Sequence, residues 1–98
     1  MSAITKFAEG QPCTMRLTGI CNHNPETSVW AHLNSVRWGS GKGQKSPDII
    51  GLIACSDCHD VLDRRGKTLI EREFVMLAAY EGHCESLALL VKAGILPE

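Results

Sequence analysis

Apolar positions are concentrated in four stretches of the chain, and their spacing predicts four elements. Residues 2–8 have apolar side chains at helical spacing and end before a glycine and a proline, which predicts a short helix covering a core. Residues 28–33 have the β-branched and aromatic content of a strand. Residues 48–54, Asp-Ile-Ile-Gly-Leu-Ile-Ala, form the strongest apolar run and are expected to be buried. A longer helical pattern occupies the C-terminal third.

The C-terminal helix has recognisable start and stop signals. Thr68 and Glu71 have the spacing of a capping box, and Gly94 before Ile95 is typical of a helix end where the chain folds back, so we predict a helix from about residue 68 to Ala93. Its apolar residues form two stripes, interpreted as core, with a dimer seam as the alternative. One stripe contains Ile70, Phe74, Leu77, Ala78, Cys84, Ala88 and Val91, and the other contains Met76, Tyr80, Leu87 and Leu90.

Length and composition limit the class of protein. Ninety-eight residues with 44% apolar content predict a single domain spanning 1–98, whose modest core depends on a metal or an oligomer for part of its stability. A net charge of -1 excludes a generally basic surface for nucleic acid, so phosphate contacts must come from local clusters. No N-terminal apolar run or bilayer-length apolar stretch is evident, which predicts a cytoplasmic protein without a membrane segment.

Four of the five cysteines predict a structural zinc site. Cys55 and Cys58 have the spacing of a zinc knuckle, and Cys13 and Cys21 form a second, wider pair around a predicted tight turn or short hairpin. The alternative is burial of these thiols as small apolar groups. Zinc is preferred because Cys-x-x-Cys with a second pair about 30 to 40 residues away is a recognised zinc pattern. Such a site would contribute on the order of 10 kcal/mol to folding and would offset a thin core. Cys84 is then a spare, buried thiol, and His83 is expected to be an ordinary residue on the helix surface.

A second pair of donors follows the knuckle directly. If a helix begins at Cys58, the side chains of His59 and Asp63 lie one turn apart on the same face. Imidazole and carboxylate are harder ligands than thiolates, and this predicts a working divalent ion separate from the structural zinc.

Two cationic clusters are candidates for contact with a phosphate backbone. The first lies in a glycine-rich segment, where the tryptophan is available for stacking on a base, and the second follows the predicted helix. For the first segment, a solvated loop with the tryptophan packed beneath it is an equal alternative. The residues are Arg37, Trp38, Lys42 and Lys45 in the first cluster, and Arg64 and Arg65 in the second.

These motifs together support a resemblance to a known family. Nearly the whole chain closely resembles the YbcO-like family of small prophage-encoded putative nucleases, and the middle, from about His32 to Asp63, is more distantly similar to the HNH endonucleases. The resemblance depends on Cys13, Cys21-Asn22, Asn24-Pro25-Glu26-Thr27, Ala31-His32, Ile53-Ala54-Cys55-Ser56-Asp57-Cys58-His59-Asp60 and Asp63-Arg64-Arg65.

The HNH resemblance implies a ββα-metal core. Together with the cysteine site and the helices predicted at both ends of the chain, it leads us to expect an α+β fold with a zinc-supported core, a short N-terminal helix and a long C-terminal helix. By position, His32 resembles the general base, His59 and Asp63 resemble the ligands of a catalytic Mg²⁺ or other divalent ion, and Asp48 stands near an orienting Asn. An imidazole is suited to deprotonating water near neutrality. The implied activity is metal-dependent hydrolysis of DNA phosphodiester bonds by a monomer or a homodimer.

One departure from the HNH pattern keeps a second interpretation open. Many HNH enzymes have a ligating Asp or His just before the base, whereas this chain has Ala31, which leaves the working ion two protein ligands. The alternative is a non-catalytic zinc module that binds DNA or a protein partner. A haem-attachment motif at Cys55–His59 would leave two cysteines unexplained, and a zinc deaminase would need Glu in place of Asn34.

Overall fold

The computed structural model describes residues 3–33, 47–63 and 71–97 and confirms a small α+β arrangement. The elements, in chain order, are helix α1 (Ala3–Ala8), a 3₁₀ turn (Pro25–Thr27), strand β1 (Val29–His32), strand β2 (Gly51–Ala54), helix α2 (Ser56–Leu62) and helix α3 (Arg72–Lys92).

The two strands form an antiparallel pair at the centre of the domain. Their register places Val29 opposite Ala54 and His32 opposite Gly51. Every residue of β2 is buried, as its apolar content predicts. Gly51 is required at its position, because a Cβ atom there would lie 2.5 Å from the indole nitrogen of Trp30.

The hairpin has an apolar cluster on each face. Ala31 and Leu52 belong to a cluster that includes the N-terminal half of α3, and Val61 of α2 packs against it. Trp30 and Ile53 belong to a second cluster with α1 and the C-terminal end of α3. This division follows from strand geometry, because successive side chains point to opposite faces.

Side chains from α3 and from the Cys13–Cys21 segment close the outer edge of β2. The backbone N–H of Ile53 donates to Ser86 Oγ at 3.0 Å, and its carbonyl accepts from Thr14 through both the backbone N–H (2.9 Å) and Oγ1 (2.6 Å). The Gly51 carbonyl lies 2.6 Å from His83 Nδ1. A buried strand edge therefore has hydrogen-bond partners without a third strand.

Helix α3 packs through a face on which three of the five buried residues are small. Its buried positions are Val75, Ala79, Gly82, Ser86 and Leu90, which recur at helical spacing. At Gly82 an added Cβ would lie 2.8 Å from Thr14 Oγ1 and 2.9 Å from Leu52 Cδ1. The absence of a side chain there allows the close approach of α3 to the strand.

The observed face of α3 corrects the stripes expected from the sequence. Phe74, Met76, Leu77 and Tyr80 were assigned to core stripes, but all four are exposed. The hydrogen bonds to the edge of β2 fix the rotation of a helix that is apolar on more than one side. Cys84 is also exposed, which contradicts its assignment as a buried thiol.

By length and composition, α3 is apolar enough to cross a membrane, which corrects the expectation that no stretch reaches that limit. A core helix of a globular domain meets the same criteria, and α3 lies along β2 in this fold.

The helix ends agree with the sequence signals in part. α1 is confirmed, and α3 ends as expected, with Gly94 at positive φ and the Ile95 N–H bonded to the Leu90 carbonyl. α2 begins at Ser56 rather than at the second cysteine, because the Cys55 side chain caps it. The predicted start of α3 near residue 68 lies outside the described residues.

We expect Ser86→Ala to lower the free energy of unfolding by about 1–3 kcal/mol, because it leaves the buried Ile53 N–H without its acceptor. Ser28→Ala is a matched control: Ser28 is also buried, and its hydroxyl has no hydrogen-bond partner among the described residues. It should change stability by less than about 0.5 kcal/mol or increase it. Urea unfolding of both variants measures the difference, and equal losses would contradict the role given to Ser86.

Candidate functional site

Four cysteine sulfurs converge at one end of the hairpin. The Sγ atoms of Cys13, Cys21, Cys55 and Cys58 all lie within 4.8 Å of one another, and those of Cys21 and Cys55 are 3.9 Å apart. In a tetrahedral site with metal–sulfur bonds near 2.3 Å, the sulfurs are about 3.8 Å apart. The cluster is therefore compatible with a metal ion after small movements of the side chains.

Backbone N–H groups donate hydrogen bonds to sulfurs of this cluster. The Cys58 N–H donates to Cys55 Sγ at 3.4 Å, and the N–H groups of Met15 and Arg16 donate to Cys13. Arg16 has a positive φ of 47°, so a turn is present between Cys13 and Cys21. No strand is found in this segment, which corrects the hairpin considered as an alternative there.

The thiols influence one another's protonation. A hydrogen bond from the Cys58 thiol, together with backbone N–H groups, lowers the pKa of Cys13 from 9.0 to about 4 against the effect of burial. The same interaction raises the pKa of Cys58 well above its usual range. Burial raises the pKa of Cys21. Deprotonation of one thiol thus disfavours deprotonation of its neighbour. A divalent cation bound by the sulfurs would stabilise all of the thiolates.

Polar contacts hold the two cysteine-bearing segments together. Asn22 Nδ2 donates to Ser56 Oγ at 3.2 Å, and the Ser56 N–H donates to Thr27 Oγ1 at 3.3 Å. Arg16 pairs through both terminal nitrogens with the Glu85 carboxylate on α3, which raises the pKa of Arg16 and lowers that of Glu85. The loop is therefore anchored to both α2 and α3.

The two side chains predicted as a ligand pair, in the last turn of α2 and at its C-cap, are in contact. His59 Nε2 lies 3.1 Å from Asp63 Oδ2, with both side chains about three-quarters buried. Spacing of four residues brings these groups together on one helix face.

His32 occupies the end of β1 and contacts Asp48. Its Nε2 atom lies 3.2 Å from Asp48 Oδ1, while the Asp48 carbonyl accepts a 2.6 Å hydrogen bond from Trp30 Nε1. A carboxylate only accepts hydrogen bonds. When the imidazole is neutral, Nε2–H therefore donates to Asp48, and Nδ1 keeps its lone pair. Because side chains alternate along a strand, His32 lies on the same face of the sheet as Trp30. Ala31 lies on the other face, against which α2 packs.

His83 is a residue whose role the sequence did not reveal. It was expected to be an ordinary surface histidine, yet it is half-buried and contacts the Gly51 carbonyl. Because a carbonyl only accepts, Nδ1 carries the proton.

The predicted DNA contacts lie outside the described residues; they are Arg37, Trp38, Lys42, Lys45, Arg64 and Arg65. Among the residues that the structure describes, the four cysteines are the one cluster of three or more potential metal ligands.

Comparison with known proteins gives consistent matches. The family model described as "Putative nuclease YbcO" matches residues 2–95. Proteins with that name from Escherichia coli K12 and from Enterobacteria phage 82 are each 40% identical over 96 residues, which is 98% of both chains. A solved structure of a putative bacteriophage protein from E. coli K-12 matches with a TM-score of 0.77 and 38% identity, covering 93% of this chain and 99% of that one. The chain therefore belongs to the YbcO family of putative nucleases.

Proposed function

We propose that this protein is a metal-dependent endonuclease of HNH type that hydrolyses phosphodiester bonds in DNA. Membership of the YbcO family, whose name denotes a putative nuclease, supports hydrolysis of nucleic acid. The observation that carries the mechanism is the His59–Asp63 pair on the helix that follows a β-hairpin. In this proposal His32 is the general base, and the pair holds the catalytic ion.

The spacing of the His59 and Asp63 donor atoms suits a hard divalent cation. Two neighbouring ligands of an octahedral ion with bonds of about 2.1 Å are roughly 3.0 Å apart, close to the 3.1 Å between His59 Nε2 and Asp63 Oδ2. Both ligands come from one short helix, so water and substrate phosphate would complete the shell. An ion such as Mg²⁺ would stabilise charge on the phosphate and the leaving oxygen.

The contact with Asp48 prepares His32 for proton transfer. The Asp48 carboxylate favours the neutral imidazole tautomer that has its proton on Nε2 and its lone pair on Nδ1. In the proposal, Nδ1 is the atom that would take a proton from water. The Trp30 indole in turn holds the Asp48 backbone. His32 lies on the same sheet face as Trp30, whereas α2, with His59, packs on the opposite face. To act beside His59, the imidazole of His32 would have to extend around the end of β1.

We infer that the ion at the four cysteines is zinc with a structural role. Four thiolates fill a tetrahedral shell and leave no open position for substrate. In the proposal, the cationic residues Arg37, Lys42, Lys45, Arg64 and Arg65 hold the DNA backbone, and Trp38 stacks on a base. Such an enzyme would act in the cytoplasm.

A non-catalytic zinc module that binds DNA or a protein is the second candidate. Two observations favour it. Ala31, fully buried, offers no ligand beside His32, and among the described residues only the cysteines form a cluster of three or more donors. In that case His32 and His59 would be structural.

A plasmid-nicking assay separates the two candidates. With Mg²⁺ or Mn²⁺ added, the zinc-loaded protein should nick supercoiled DNA, and His32→Ala should reduce the rate roughly 10²–10⁴-fold without weakening DNA binding, because only the base is lost. Asp63→Asn should raise the ion concentration needed for activity. Its matched control is Asp57→Asn, an exposed carboxylate on another face of α2, which should leave the rate unchanged.

Zinc content is checked in every variant of that series, so that loss of the fold is distinguished from loss of the reaction. If the wild-type protein binds DNA but fails to nick it with any of these ions, the binding module is the better description. Nicking by His32→Ala at the wild-type rate would remove His32 from the mechanism.

We expect one tightly bound zinc ion per chain, measured by elemental analysis after dialysis. Cys58→Ser should abolish stoichiometric binding and cost on the order of 10 kcal/mol of stability, because site and fold form together. Cys84→Ser, which changes the exposed fifth cysteine, should retain the ion. Acidification should release zinc, since protons compete for the thiolates. Loss of zinc from Cys84→Ser, or none in the wild type, would contradict this assignment.

A further inference from the structure

The outward face of α3 is apolar, and its large side chains are exposed in the part of the chain that the structure describes. Phe74, Leu77 and Tyr80 are 59%, 55% and 64% exposed, and 28% of the apolar stretch of the helix is buried. At 100° per residue, Leu77 and Tyr80 lie on the side of the helix opposite its buried residues. The same stripe continues along the helix through Cys84, Ala88 and Val91.

We propose that this stripe is the interface of a homodimer in which α3 pairs antiparallel with α3 of a second copy. The stripe residues recur at intervals of three and four, the pattern of a two-helix seam. Leu77, Tyr80 and Cys84 lie near the middle of the helix, so a two-fold axis between Tyr80 and Cys84 aligns most of both helices, each about 31 Å long.

The area available supports a self-association surface. Phe74, Leu77 and Tyr80 together expose on the order of 300 Å² of apolar surface, which is the lower end of the size of a functional patch. This is somewhat under half of the roughly 800 Å² that each partner buries in a standard stable interface. The rest of the stripe, and a cavity of about 290 Å³ beside Phe74 and Ala78, extend the same surface.

The charges at the two ends of α3 select the antiparallel arrangement. Glu71, Arg72 and Glu73 at the start of α3 carry a net charge of -1, and Lys92 lies in the last turn. Antiparallel pairing brings Glu73 of each copy to the end of the helix where the second copy's Lys92 lies. A parallel pair would place like charges together and align the helix dipoles unfavourably.

Other occupants fit the surface less well. Nucleic acid and an anionic membrane both present negative charge, and the exposed carboxylates of Glu73 and Glu81 border the stripe. A second copy supplies an apolar surface of the same shape and a complementary charge at each end. The dimer does not depend on the proposed nuclease activity.

Sedimentation velocity over a dilution series tests the dimer. The wild-type chain of 10.7 kDa should sediment at twice that mass and dissociate on dilution. Tyr80→Lys should give a monomer, because it places a cation on the axis of the seam. Val29→Lys, a change at an exposed apolar residue of β1, is the matched control and should remain dimeric. A wild-type monomer at every concentration, or a Tyr80→Lys dimer, would overturn the proposal.

A charge exchange tests the orientation of the helices. Glu73→Lys alone should weaken the dimer roughly three- to thirtyfold, since it removes two symmetry-related ion pairs and exposed ion pairs contribute up to about 1 kcal/mol each. Adding Lys92→Glu should restore the wild-type dissociation constant. A double variant weaker than the single variant would refute antiparallel pairing. Zinc content and circular dichroism show whether each variant is folded.

Discussion

The convergence of four thiols from two distant segments is the constraint on which the rest of the structure depends. Cys13 and Cys21 come from a segment without regular secondary structure, and Cys55 and Cys58 come from the junction of β2 and α2. The segment between residues 21 and 55 contains both strands and the chain that connects them. A cation at the thiols would therefore close a loop around the elements that present His32 and Asp48.

The sequence predicted the elements with local signals and missed those that depend on distant contacts. The cysteine cluster, the two strands and the His59–Asp63 contact followed from spacing, and these need few residues to specify them. The start of α2 was misplaced because a cysteine side chain replaced the usual capping residues. The pairing of His32 with Asp48 joins residues 16 apart and has no local signal, so it was not predicted.

The orientation of α3 shows why periodicity alone was insufficient. Apolar residues surround this helix, so the pattern does not indicate one buried face. Small and polar residues decided the outcome instead: Gly82 permits close approach, and Ser86 bonds to the strand. Four large apolar residues that the stripes assigned to the core remain on the outside: Phe74, Met76, Leu77 and Tyr80. One apolar face of the helix packs on its own domain, and the other is the face that the proposed dimer would use.

The closed edge of β2 also bears on how the protein avoids aggregation. An unpaired edge strand of apolar residues would be a template for strand addition by another chain, and Gly51–Ala54 is such a strand. Here the backbone groups of Gly51 and Ile53 are already bonded to His83, Ser86 and Thr14. Intermolecular β-pairing along this edge would require α3 to detach first. The same contacts that orient the helix thus protect the chain from amyloid-like growth.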